Sequence, residues 1–211
     1  MRTIISIFVL FKVNSEVLTM KIAIILFLLP LFAAGQTPCE DGLSNGFPCE
    51  NFEFMSQLTL EDLAAGSAND SWGWTDPETD VEYALVGLNN GTAFVDISDP
   101  LNPLLVGKLP THTVNSIWRD VKVYSNHAYI VSEAENHGMQ VFDLTRLREV
   151  ENPPVTFTED AHYGEIGSAH NIVINEANGF AYAVGTATFN GGLILSISRT
   201  RRIHNPLEVM A

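Results

Sequence analysis

Cysteine is scarce in this chain: two residues of 211, Cys39 and Cys49, too few for a multi-disulfide scaffold or a four-cysteine zinc site. Basic residues are scarce as well. Only Glu16 of the 25 acidic residues lies before Gln36, so 24 Asp and Glu follow against 8 Lys and Arg. An acidic surface of this kind excludes nucleic acid and anionic membranes as partners and suits solubility in a salty exterior. Long segments with apolar residues at helical spacing are absent, which excludes a helical solenoid. So are a serine nucleophile elbow, a phosphate loop and a dinucleotide fingerprint. No familiar catalytic class is announced.

The apolar residues that are present start with an export pattern. Met20-Lys21 followed by Ile22 to Phe32 is a charged start and an apolar run of signal-peptide length, and Ala33-Ala34-Gly35 supplies small residues for cleavage before Gln36. The run falls short of the ~20 apolar residues a spanning helix wants. Residues 1–35 are therefore read as a signal peptide, with 1–19 an upstream extension of the start, and no membrane span is expected after cleavage. Cys39 and Cys49 fit an exported chain: they enclose a loop of turn formers, Glu40 to Pro48, near the mature N-terminus. In an oxidising compartment the pair predicts a local disulfide worth roughly 2–3 kcal/mol at most for so short a loop. Two free thiols or half of a zinc site are the alternatives, the latter opposed by the lack of a nearby histidine.

Residues 36–70 read as a lead-in, and from Ser71 a repeat begins. Its clearest element is Gly91-Thr92-Ala93-Phe94-Val95-Asp96-Ile97-Ser98-Asp99-Pro100, a β-branched, apolar strand stopped by an Asp-Pro turn. Weaker copies follow at Met139 to Thr145 and Gly191 to Ser198. Each is preceded by a strand with a shared tyrosine, Tyr83, Tyr129 or Tyr182, and by an opening strand at Trp72, Trp118 or Ala169. Several short strands every ~45–50 residues, with polar turns between, predict propeller blades. The fold class is thus all-β: about three propeller-like blades in an incomplete ring over 71–198, with a longer third spacing assigned to an insertion around Glu159 to Gly167. In this overlay Trp74, Asp120 and Asn171 are equivalent, as are Gly73, Arg119 and His170. Trp72, Trp74 and Trp118 are expected to pack between blades.

The pattern fails after Leu193. Residues 199–211 hold Arg199, Arg201 and Arg202, a basic tail foreign to what precedes it, and a frameshift or truncation near residue 193 is the expectation.

The run Trp72-Gly73-Trp74-Thr75-Asp76-Pro77, the Asp96 to Pro100 strand-turn and Trp118-Arg119-Asp120 resemble the choice-of-anchor B family of LVIVD-repeat proteins. So do Ser132-Glu133-Ala134, His137 to Asp143, Thr158 to Tyr163 and Ser168 to Asn175. The resemblance covers roughly Cys39 to Leu193, the cysteine pair included. It implies a secreted bacterial β-propeller whose C-terminus carries an interchangeable surface-anchoring signal; no such signal is read here. It implies no activity for particular residues.

Histidine and carboxylate density peaks between Glu133 and His170. Asp160, His162 and His170 form the candidate metal set, because imidazole plus carboxylate suits zinc or a related ion; capping of strand ends by the same groups is the plainer alternative. Asp96 and Asp143 recur at one position and suit carboxylates that bond turn amides. The expected function is an exported, non-enzymatic binding or surface-display module for a protein or glycan ligand, with no cofactor unless a metal ion. The alternatives are a metal-dependent enzyme at the propeller channel mouth and a non-functional fragment.

Overall fold

The computed structural model describes residues 36–196 and 208–209. The leader read at 1–35 and the arginines of the tail lie outside the described residues. The chain divides into two compact units, residues 1–54 and 55–211.

In the first unit Asn45 and Gly46 both adopt positive φ (48° and 82°), the two-residue turn that matches strand twist, and they join β1 (Leu43–Ser44) to β2 (Phe47–Pro48). Cys39 and Cys49 are disulfide-bonded across this hairpin, with Cα atoms 5.9 Å apart. The bridge between Thr37 and Phe54 closes the unit, and Phe54 stacks on Phe47 at 5.5 Å.

The second unit is built of three sheets. The first holds β3 (Ala68–Thr75), β4 (Glu82–Leu88), β5 (Gly91–Asp96) and β6 (Leu104–Pro110) in antiparallel order. In the second, β7 (Arg119–Tyr124), β8 (His127–Ser132) and β9 (Met139–Asp143) are joined at the edge by β11 (Ala161–Tyr163). Between β9 and β11 the chain leaves its own sheet. Its residues Val155–Thr156 (β10) run parallel to β6 on the outer edge of the first sheet. Gly107 permits that approach, since a Cβ there would stand 2.5 Å from the Val155 carbonyl oxygen. The third sheet is β12 (Asn171–Asn175), β13 (Phe180–Val184), β14 (Gly192–Ser196) and β15 (Glu208–Val209). Each sheet is a blade; none closes on itself.

β5 reads as an apolar run because both its faces are covered. One face, with Phe94, packs across the seam to blade 2, where Phe94, Phe142 and Phe157 interlock at 4.6–5.7 Å between ring centres beside Leu85, Val121 and Ile130. The other face, with Ala93 and Val95, is covered by Leu63 from the lead-in and keeps an apolar cleft of about 700 Å³. The seam between blades 2 and 3 is thinner: Tyr129, Val131, Met139 and Val141 meet Ala169, Ile172, Ala181 and Ala183. On the far face of blade 3, Val173 and Val184 are exposed.

Three differences from the sequence reading have physical causes. The stretch around Glu159 to Gly167 is not an insertion: it supplies β11, the ordinary fourth strand of blade 2, and the extra length is the detour through β10. Trp74 is buried in the first seam, stacked on Tyr83, but Trp72 and Trp118 stand 40 % and 48 % exposed. Trp72 lies under the Lys122 ammonium at 4.6 Å, and Trp118 sits in the loop before β7, outside any seam. The true partner of Asp120 in the first blade is Asp70. Asp70 Oδ2 accepts from the Val121 amide of blade 2 at 2.9 Å, and Asp120 Oδ2 accepts from the Ile172 amide of blade 3 at 2.6 Å. Each first strand thereby grips the next. Asp96 and Asp143, in contrast, do what their recurrence suggested: each carboxylate accepts from the amide two residues on, Ser98 and Thr145, at 2.9 Å.

Candidate functional site

Strand direction sorts the turns to two ends of the blades. The end that carries Asp96 and Asp143 has its carboxylates paired, and Asp160 belongs with it. The Asp160 carboxylate accepts from the Asp143 amide at 2.7 Å and from Arg146 at 2.8 Å. Nearby, buried Asp76 accepts a bidentate pair from Nε and Nη2 of Arg148, both at 2.6 Å, which holds its pKa far below the usual carboxylate range. These carboxylates are structural.

The opposite end gathers the histidines. Arg119, at the start of β7, is turned into the seam between blades 1 and 2 and is almost wholly buried. Its Nε donates to the Leu88 carbonyl at 3.0 Å, one terminal nitrogen to the Thr111 hydroxyl at 2.9 Å, and the other to His137 Nε2 at 2.8 Å. Burial lowers the Arg119 pKa to about 10. An arginine still charged at neutral pH leaves His137 Nε2 as the acceptor, so Nδ1 carries the proton and donates to the Gly138 carbonyl at 3.1 Å. Burial first, and the Arg119 charge second, push His137 down to about 4: it is a neutral imidazole.

Gly138 makes the next contact possible. Its φ is +66°, and a Cβ would lie 2.4 Å from the Tyr163 carbonyl oxygen. That close approach lets His162 on β11 donate its Nε2 proton to the His137 carbonyl at 2.7 Å. His112, just beyond β6, stacks on His162 with ring centres 3.6 Å apart and planes within 10°. His112 Nδ1 is 2.9 Å from Glu159 Oε1, and the other Glu159 oxygen accepts from Gln140 at 2.7 Å. Gln140 faces His162 across the β9–β11 pairing and is buried.

Of the candidate metal set Asp160, His162 and His170, only His162 sits in this cluster. His170 pairs with Glu133 and lies beside Trp118, and Asp160 is at the other end. Arg119 is marked by the blade overlay, whereas His112, Glu159, Gln140 and His137 carry no signal of spacing. His112 lies 47 residues before Glu159, and only the packing of β6 against blade 2 brings them together.

Around the cluster runs the loop from Thr111 to Trp118. Its backbone is tied down: the Thr111 and Ser116 amides donate to the carbonyls of Asn90 and Asn89, and the Trp118 carbonyl accepts from the Ser132 hydroxyl. Its apolar side chains nonetheless point outward, with Val114 65 %, Ile117 60 % and Trp118 48 % exposed.

Residues 82–111, which span β4 to β6 and reach the foot of this loop, match the LVIVD repeat. The match supports an LVIVD-type repeat and, with the blades, a repeat β-propeller module. No curated protein and no solved structure matches the chain. Among the described residues no helix is long and apolar enough to cross a membrane.

Proposed function

We propose that this chain is an exported, non-enzymatic β-propeller module of the choice-of-anchor B type that binds a protein or glycan at the outside of the cell, through the histidine end of its blades. The observation that carries the reading is the Thr111–Trp118 loop. Three apolar side chains are held out to solvent on a loop whose backbone is anchored at Thr111, Ser116 and Trp118. Exposed apolar groups on a pre-ordered loop are what a partner can cover without ordering the loop first. The LVIVD match, the disulfide and the acidic composition support the address. An indole flanked by an imidazole–carboxylate pair, as Trp118 is by His170 and Glu133, suits stacking on a sugar as well as packing on a protein.

The test is direct. Full-length protein is applied to a glycan array and to extracted cell-surface proteins, beside an Ile117→Ser, Trp118→Ala variant. Binding that the double variant loses by tenfold or more supports the reading. Equal binding by both proteins, or turnover of a captured molecule in place of stable retention, sinks it.

A further inference from the structure

The cluster formed by His112, Glu159 and His162 has a chemistry that the binding loop does not need. One donor atom from each residue lies within 4.8 Å of the others. We infer that these three side chains form a binding site for a zinc-class divalent ion, with two imidazoles and one carboxylate as ligands and the remaining position open to water or to a ligand group.

Four features support it. The His162 tautomer is set: with Nε2–H given to the His137 carbonyl, Nδ1 keeps its lone pair for a metal, the arrangement by which outer-shell acceptors orient ligating imidazoles. Glu159 is oriented in the same way, since Gln140 donates to the oxygen that does not face His112. Gln140 itself is only 2 % exposed; its amide nitrogen bridges Glu159 and the Pro110 carbonyl, the latter at 3.0 Å, and its Oε1 has no partner, so a buried amide ties the carboxylate to the end of β6. Lastly, the nearest cation does not compete: Arg119 directs its donors to Leu88, Thr111 and His137.

Two imidazoles and a carboxylate with an open fourth position match a catalytic-type or ligand-accepting zinc site in donor set. Tetrahedral coordination at about 2.1 Å wants donors ~3.4 Å apart, so the ligands must close by up to ~1.4 Å. His112 can supply that motion, because it lies outside any strand and is partly exposed. Binding must also unstack the two rings, since lone pairs lie in the ring planes and parallel planes cannot share one ion.

Untagged full-length protein, stripped with chelator, is titrated with Zn²⁺ alone by calorimetry and with Co²⁺ alone by visible absorption. The expected result is one site per chain, with a cobalt spectrum of tetrahedral or five-coordinate intensity. His112→Ala and His162→Ala should each weaken Zn²⁺ more than the ~10- to 100-fold that an outer-shell change costs, and Gln140→Leu should fall within that range. His127→Ala, at the opposite blade end, should bind as the unaltered chain does. His112 is exposed, so its variant keeps the fold, and matching circular dichroism melts check this. Absence of a site in the unaltered protein overturns the inference, as does a His112→Ala, His162→Ala variant that binds equally well. Failure here leaves the Trp118 loop reading untouched, because no metal enters that test.

Discussion

The two seams of the second unit are built on different principles. Between blades 1 and 2, three phenylalanines interlock, Trp74 stacks on Tyr83, and each end is closed by an arginine from blade 2, Arg148 on Asp76 and Arg119 on the Leu88 carbonyl. Between blades 2 and 3 the facing residues include three alanines, and the polar contacts are single hydrogen bonds, among them Asp120 on the Ile172 amide and the Ala169 amide on the Ser132 carbonyl, with the exposed His170–Glu133 pair beside them. Buried aromatics contribute large area and specific ring contacts, whereas alanines contribute close backbone approach and little else. The first seam should therefore hold the unit together, and the second should open first. The Thr111–Trp118 loop and the His112–Glu159–His162 cluster lie at the end of the first seam.

The largest effect should come from that seam. Phe142→Ala removes the ring at the centre of the triad and should cost about 3–5 kcal/mol in urea unfolding. A loss below 1 kcal/mol would mean that the aromatic triad does not set the difference between seams. Next is Asp76→Asn. Breaking a buried ion pair typically costs about 3–5 kcal/mol, and the partial exposure of Arg148 reduces this to roughly 2–3 kcal/mol. The same pair carries a pH dependence. Because Arg148 lowers the native pKa of Asp76, the unfolded chain takes up this proton first. Stability from the pair is complete above the ordinary carboxylate value of 3.8 and drains as pH falls below it. Asp76→Asn should flatten that part of a stability–pH curve, and an unchanged slope would show that another carboxylate is responsible.

Asp120→Asn tests the weaker seam. It weakens a charge-assisted bond to the Ile172 amide and removes an ion pair with Lys122, for a loss of about 1–2 kcal/mol. Hydrogen exchange on this variant should quicken in β12 and β13 and leave β7 to β9 protected; uniform quickening would mean the blades open as one. The smallest expected effect is in the unaltered protein, where amides of β12 should exchange ahead of those of β7 under native conditions.

Much of the blade pattern was legible in the chain, and particular residues show why the rest was not. Strands such as Gly91–Asp96 declare themselves because both faces are apolar, and Asp96 and Asp143 recur because the same turn follows each third strand. β10 and β11 are two and three residues long, with no room for a pattern, and one of them pairs with residues 48 positions earlier. The overlay of first strands slipped, setting Trp74 against Asp120, because β3 has an irregularity between Ala68 and Asp70 and a six-residue turn, Asp76 to Val81, where blade 2 has two residues. Of the histidine cluster only His162 could be singled out. Glu159 was passed over for its neighbour Asp160, and residues that face one another across a seam share no spacing that a linear reading can test.

The short excursion of β10 has a consequence for how the chain is made. Until Val155 and Thr156 emerge from the ribosome, the outer edge of β6 stays unpaired, an open template for another strand. Once they arrive, blade 1 is sealed by residues that belong in sequence to blade 2, and the chain must then cross back to add β11. The first two blades are thus a single knit object, neither complete without the other, and blade 3 is the first that can be added to a finished neighbour.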